Sequence, residues 1–171
     1  MTIFVAGIHG VGKTYLCKKY VEHRDVTHAT ASALIREELA SPNWGVDKLV
    51  GDIDGNQIAL IRAVERYRSN QKRLLLDGHF VLKDKQQIFV PLDPRIFSLL
   101  GIRGVALVEA PSDVIQRRLA SRDGSSSIMN IEAFLDSERN HATQVCTNLN
   151  VPLFILNSPS EKEFSSRIDK C

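Results

Sequence analysis

Gly7-Ile8-His9-Gly10-Val11-Gly12-Lys13-Thr14 follows the spacing G-x-x-x-x-G-K-[ST]. Each residue type has a physical reason. The glycines let the backbone turn and bring its N–H groups against phosphate oxygens. A helix starting at the end of such a loop points its positive end at an anion. Lys13 offers a cation to the β- and γ-phosphates of a nucleoside triphosphate, and the Thr14 hydroxyl suits Mg²⁺. ATP with Mg²⁺ is therefore the expected ligand. Gly7, Gly10, Val11, Gly12, Lys13, Thr14 and Tyr15 form its expected cradle. His9 lies inside the loop and is read as a solvated position.

Leu74-Leu75-Leu76-Asp77 is an apolar run ending in an acid. That layout places a carboxylate near Mg²⁺ beside a phosphate loop, so Asp77 joins Thr14 as a candidate metal ligand. A plain turn at Asp77-Gly78 is the competing reading. Glu109 ends another apolar run and is read as a cap or ion-pair partner. His79 would reach the carboxyl edge of a sheet, where ligands bind, and could touch an acceptor or serve structure alone.

The elements that must hold these residues follow from periodicity. Ile3–Ala6, Thr27–Thr30, Leu74–Asp77, Gly104–Val108 and Pro152–Leu156 read as strands. Helices are expected over Thr14–Val21, Ala33–Ala40 capped by Ser32, Asn56–Tyr67, Pro94–Leu99, from Ser112 onward, Ile131–Leu149 and Glu161–Ile168. Ser41-Pro42-Asn43-Trp44-Gly45 breaks one helix, and Asp123-Gly124-Ser125-Ser126-Ser127 separates two others. Alternating strands and helices predict an α/β domain of the P-loop NTPase type: five parallel strands with helices on both faces. The loop should follow the first strand, with Leu74–Asp77 as its neighbour.

The bulk properties allow one such domain over residues 1–171, with 43% apolar and 25% charged residues. A net charge of +2 gives no basis for a nucleic-acid or membrane-surface partner. The three cysteines, Cys17, Cys146 and Cys171, match no metal or redox spacing and are expected as reduced thiols. No run is long enough for a membrane span, and no signal peptide or N-terminal extension is expected before so early a strand. The cytoplasm is the expected compartment.

Four segments resemble the adenylate kinase family of nucleoside monophosphate kinases. They are the phosphate loop, Thr30-Ala31-Ser32-Ala33-Leu34-Ile35-Arg36, Leu75-Leu76-Asp77-Gly78, and Asp113-Val114-Ile115-Gln116-Arg117-Arg118-Leu119-Ala120-Ser121-Arg122. Asp77-Gly78-His79 and a short lid are similar to the archaeal type. The resemblance implies transfer of the γ-phosphate of ATP to a nucleoside monophosphate. It implies Arg118 against the donor base, Arg122 and Arg139 on the phosphates with Lys13 and Asp77, and Ser32, Arg36 and His79 on the acceptor. It also implies an acceptor-binding helical insertion at 31–72 and a lid at 122–139. The chain departs from the bacterial and eukaryotic pattern at His79-Phe80-Val81, where those members carry an aromatic residue, Pro and Arg. That leaves Arg36 and Arg139 as acceptor-side cations, although an Arg on a short helix also serves solubility. Two alternatives keep the phosphate loop: a kinase for another small molecule, and an ATPase or nucleotide switch acting on a protein partner.

Overall fold

The computed structural model describes residues 1–40, 55–84, 86–123 and 130–171, without the side chains of residues 122 and 123. Five strands form one parallel sheet: β1 (Thr2–Ala6), β2 (Thr27–Thr30), β3 (Leu74–Asp77), β6 (Ile102–Glu109) and β7 (Leu153–Asn157), in the order β2-β3-β1-β6-β7. This is the P-loop NTPase α/β fold expected, with β3 beside β1. Every residue of β1 and β3 is buried, which is why both read as continuous apolar runs rather than alternating ones. The register aligns Val5 and Thr30 with Asp77, so the carboxyl ends of β1, β2 and β3 finish at one edge.

The helices α1 (Lys13–Val21), α2 (Ala31–Leu39), α3 (Gly55–Ser69), α4 (Pro94–Leu99), α5 (Ser112–Asp123), α6 (Ile131–Leu149) and α7 (Glu161–Ile168) flank the sheet on both faces. The cap of α2 differs from expectation. Thr30, the last residue of β2, already has extended geometry, and its Oγ1 accepts from the Ala33 N–H at 3.2 Å. The helix therefore starts at Ala31 with Ser32 inside its first turn. The Glu38 carboxylate of α2 pairs with Arg66 of α3, joining these two helices. The breaks expected at 41–45 and 124–127 lie outside the described residues.

A hairpin is added to the expected elements. Strand β4 (Val81–Lys83) pairs antiparallel with β5 (Phe89–Pro91). Asp84 organises the turn by accepting from the N–H groups of Gln86 and Ile88. Three-residue strands are too short for periodicity to reveal. Phe89 anchors the hairpin by stacking on Phe134 of α6, centroids 4.8 Å apart. Phe4, Phe80 and Phe97 join β1, the segment after β3, and α4 in one aromatic cluster.

Candidate functional site

Gly7 leaves β1 with φ 139, and a Cβ there would lie 2.2 Å from the Val108 carbonyl oxygen, so only glycine fits. Helix α1 begins after Gly12 with no side-chain cap and no acid in its first turn. Its positive end is thus uncompensated by its own side chains, as an anion site requires.

Lys13 is buried, and its Nζ donates to the carbonyls of Gly7 (2.5 Å) and Ile8 (3.2 Å). Asp77 Oδ1 lies 3.8 Å from the same nitrogen. Burial pushes the Lys13 pKa down, against the pull of the Asp77 and Glu138 charges. Thr14 Oγ1 donates to Asp77 Oδ2 at 2.6 Å. Burial by itself raises the Asp77 carboxyl, but His28, Lys13 and Thr14 outweigh it and hold the group below the usual range. His28 Nε2 is 3.9 Å from Asp77 Oδ2, beyond hydrogen-bond reach, so its effect is through space.

Thr14 and Asp77 are hard oxygen donors side by side, the type Mg²⁺ takes. Among the described residues, Cys17, His28 and Asp77 also bring one donor atom each to within 4.8 Å of one another. The thiol and imidazole of that set suit a softer ion than Mg²⁺.

Arg118 of α5 reaches the loop from outside, its NH1 donating to the carbonyls of Gly10 and Val11 at 3.0 Å each. Tyr15 points the other way, its exposed hydroxyl donating to Glu161 of α7. Arg139 forms a two-pronged pair with Glu109, both bonds 2.7 Å, with Asp136 3.7 Å away. Its fork is engaged by that carboxylate rather than by the Lys13 cluster. Arg36 is exposed on α2. The side chain of Arg122 and residues 124–129 of the lid expected at 122–139 lie outside what is described.

Glu138 of α6 was not singled out in the sequence. It is 1% exposed, and its carboxylate accepts from the N–H groups of Gly7 (3.2 Å), Phe80 (2.9 Å) and Val81 (2.7 Å). One acid thereby joins the first glycine of the phosphate loop to the segment following Asp77. Burial pushes its carboxyl up, against the pull of those N–H groups and the Lys13 charge. A signal existed: Glu138 falls on the buried stripe of Ile131, Phe134, Ala142 and Val145, where an acid needs partners.

A cavity of about 130 Å³ lies beside this cluster, at the carboxyl ends of β2 and β3. Phe4, Leu60 and Phe97 contribute to its apolar wall, and Ser32, Gln57 and His79 are its polar residues. The His79 ring lies against that of His9, centroids 4.5 Å apart. Burial, then the Lys13 charge, then His9, push the His79 pKa down to about 3. Between about 3 and the ordinary imidazole value of 6.5 the unfolded chain binds a proton that the folded chain does not, so stability rises with pH across that window. His79→Gln should flatten this acid limb by up to about 1.4 kcal/mol per pH unit. Urea denaturation at several pH values checks it, and an unchanged slope rejects the buried neutral state of His79.

The loop geometry, the β1–loop–α1 order and Asp77 on the adjacent strand define a P-loop nucleotide-binding protein. Residues 6–134 match the AAA domain family, and the chain belongs to that family. Among solved structures, it is similar to a sugar kinase from Janibacter sp. at 17% identity and TM-score 0.57, over 99% of this chain and 92% of that one. It is also similar to an uncharacterized protein from Eubacterium ventriosum at 11% identity and TM-score 0.53, over 99% and 96%. No curated protein matches the sequence. No helix among the described residues is long and apolar enough to cross a membrane.

These findings correct the expected kinship with adenylate kinases and the expected transfer to a nucleoside monophosphate. The family matched is the AAA domain, and a similar solved structure is that of a sugar kinase. The cavity agrees with the correction, because no Lys or Arg among the described residues lines it to take an acceptor phosphate. Of the shared segments, the phosphate loop and Leu75-Leu76-Asp77-Gly78 answer to the demands of a nucleotide site, which many P-loop proteins meet alike.

Proposed function

We propose that this chain is an ATP-dependent kinase for a small hydroxyl-bearing molecule. The observation that carries this reading is the cavity walled by His79 and Ser32, next to the Lys13–Thr14–Asp77 cluster. A bare hydrolase needs no such chamber. Lys13 and the N–H groups of the loop would hold the donor phosphates, and Thr14 and Asp77 would hold Mg²⁺. The metal, when bound, supplies charge compensation at the β- and γ-phosphates.

The acceptor oxygen bonds to the γ-phosphorus as the bond from that phosphorus to the bridging oxygen breaks. ADP leaves with the electron pair. The hydroxyl proton leaves to solvent as the new bond forms, and His79 Nδ1 orients the hydroxyl by accepting from it. A loose transition state asks little of a base, so alignment and charge compensation dominate. The test supplies ATP and Mg²⁺ with a panel of small alcohols, sugars and ring compounds, and measures ADP with and without each. Acceptor-dependent ADP is expected.

Arg118 would brace the loop and lie against the donor base. Arg118→Ala should raise the KM for ATP roughly 2- to 30-fold, the equivalent of about 0.5–2 kcal/mol, with a smaller change in kcat. Steady-state kinetics with varied ATP check this, and wild-type values reject the assignment.

One observation favours a second reading, an ATPase or switch acting on a protein. The β4–β5 hairpin exposes Leu82, Ile88 and Val90 together. ADP release that no acceptor stimulates selects this alternative.

A further inference from the structure

We propose that the cavity beside His79 is the acceptor subsite, and that it takes a single apolar ring carrying N–H or O–H donors rather than a polyol or a phosphate-bearing compound. The proposal rests on the kinase reading for the word acceptor, and on the cavity itself for the ligand chemistry. Two buried polar atoms carry it. Among the described residues, Gln57 Oε1 and His79 Nδ1 have no hydrogen-bond partner, and both residues line the cavity. Gln57 is 7% exposed, so water does not compensate its amide freely.

A buried polar atom without a partner is costly, and such groups persist where a ligand completes them. The Gln57 oxygen only accepts, and the unpartnered His79 Nδ1 offers an imidazole lone pair. A ligand that satisfies both must donate. The rest of the wall is apolar, with Phe4, Leu60 and Phe97 offering ring faces and methyl groups. A polyol would strand several hydroxyls against that surface, each desolvated without a partner. A phosphate would meet no cation there among the described residues. The volume of about 130 Å³ equals roughly four waters at about 30 Å³ each, which suits one small ring.

The test uses the full chain without nucleotide and five probes: benzyl alcohol, indole, toluene, glucose and glycerol 3-phosphate. Binding is followed by ligand-observed NMR titration. Benzyl alcohol and indole should saturate, with toluene about fivefold weaker or more for lack of a donor. Glucose and glycerol 3-phosphate should not saturate. Ala31→Phe, which fills the cavity, should abolish ring binding. Gln57→Leu should bring benzyl alcohol and toluene to equal affinity and should raise the Tm, because it removes an unsatisfied buried atom. Equal affinities in the wild type, an unchanged preference in Gln57→Leu, or a lower Tm for that variant would each overturn the proposal. Tighter binding of glucose or glycerol 3-phosphate would do the same. The two readings fail separately. Ring binding with no phosphoryl transfer to any compound removes the kinase and keeps the ligand chemistry of the cavity. Phosphoryl transfer to a polyol without ring binding keeps the kinase and overturns the subsite.

Discussion

Lys13→Ala is expected to lower kcat/KM for ATP turnover by about a thousandfold or more and to leave the far-ultraviolet circular dichroism of the protein unchanged. The expectation follows from what Lys13 touches. Its Nζ is held by two loop carbonyls and faced by Asp77, so the charge at the loop is what the residue supplies. Truncation removes the cation that offsets the charge moving from the γ-phosphate. It also leaves Asp77 without one of the partners that keep it ionised. The fold does not depend on it, since β1 and α1 are secured by Phe4, Val5, Leu16 and Cys17 in the core. Turnover within tenfold of wild type would show that the loop is not the donor site.

The second large effect concerns Glu138. Glu138→Ala leaves the N–H groups of Gly7, Phe80 and Val81 buried and unpaired. At about 1–3 kcal/mol for each unsatisfied group, with some relaxation, the expected loss is about 3–5 kcal/mol. For a chain of this length that lowers Tm on the order of 10 °C. Glu138→Gln keeps one accepting oxygen and should lose less, yet its amide N–H₂ faces backbone donors and cannot replace the second. Because Gly7 is one of the three, turnover in Glu138→Gln should fall more than nucleotide affinity does. Calorimetry and steady-state kinetics on both variants check the two halves of this expectation. A Glu138→Ala protein with wild-type Tm would remove the carboxylate from its bridging role.

Much of the architecture was legible before any coordinates, and for a physical reason. The apolar runs inside β1, residues 3–6, and β3, residues 74–76, are buried on both faces, so they are unbroken segments that end at Gly7 and Asp77. The limits of α6 and α7 match those read from the sequence, and the structure adds the caps, Asn130 and Ser160, whose side chains accept from the first turn of each helix. Ser32 misled because two hydroxyl residues stand near the start of α2, and only the extended backbone of Thr30 decides which one caps.

The candidate site divides in the same way. The phosphate loop is contiguous, so its residue types and spacing by themselves define a nucleotide site at Gly7–Thr14. Asp77 could be suspected from an apolar run ending in an acid. The rest required the tertiary structure. Arg139 and Glu109 are far apart in sequence, and their pairing depends on how α6 crosses the end of β6. Glu138 meets Gly7 and Phe80 through the same packing. The cavity is assembled from β1, α2, α3, α4 and the segment after β3, and no local pattern encodes its walls or its two unpaired polar atoms. The family resemblance failed for this reason as well. Phosphate-loop residues recur as short motifs, whereas the cavity proposed for the acceptor is set by long-range packing that spacing along the chain does not reveal.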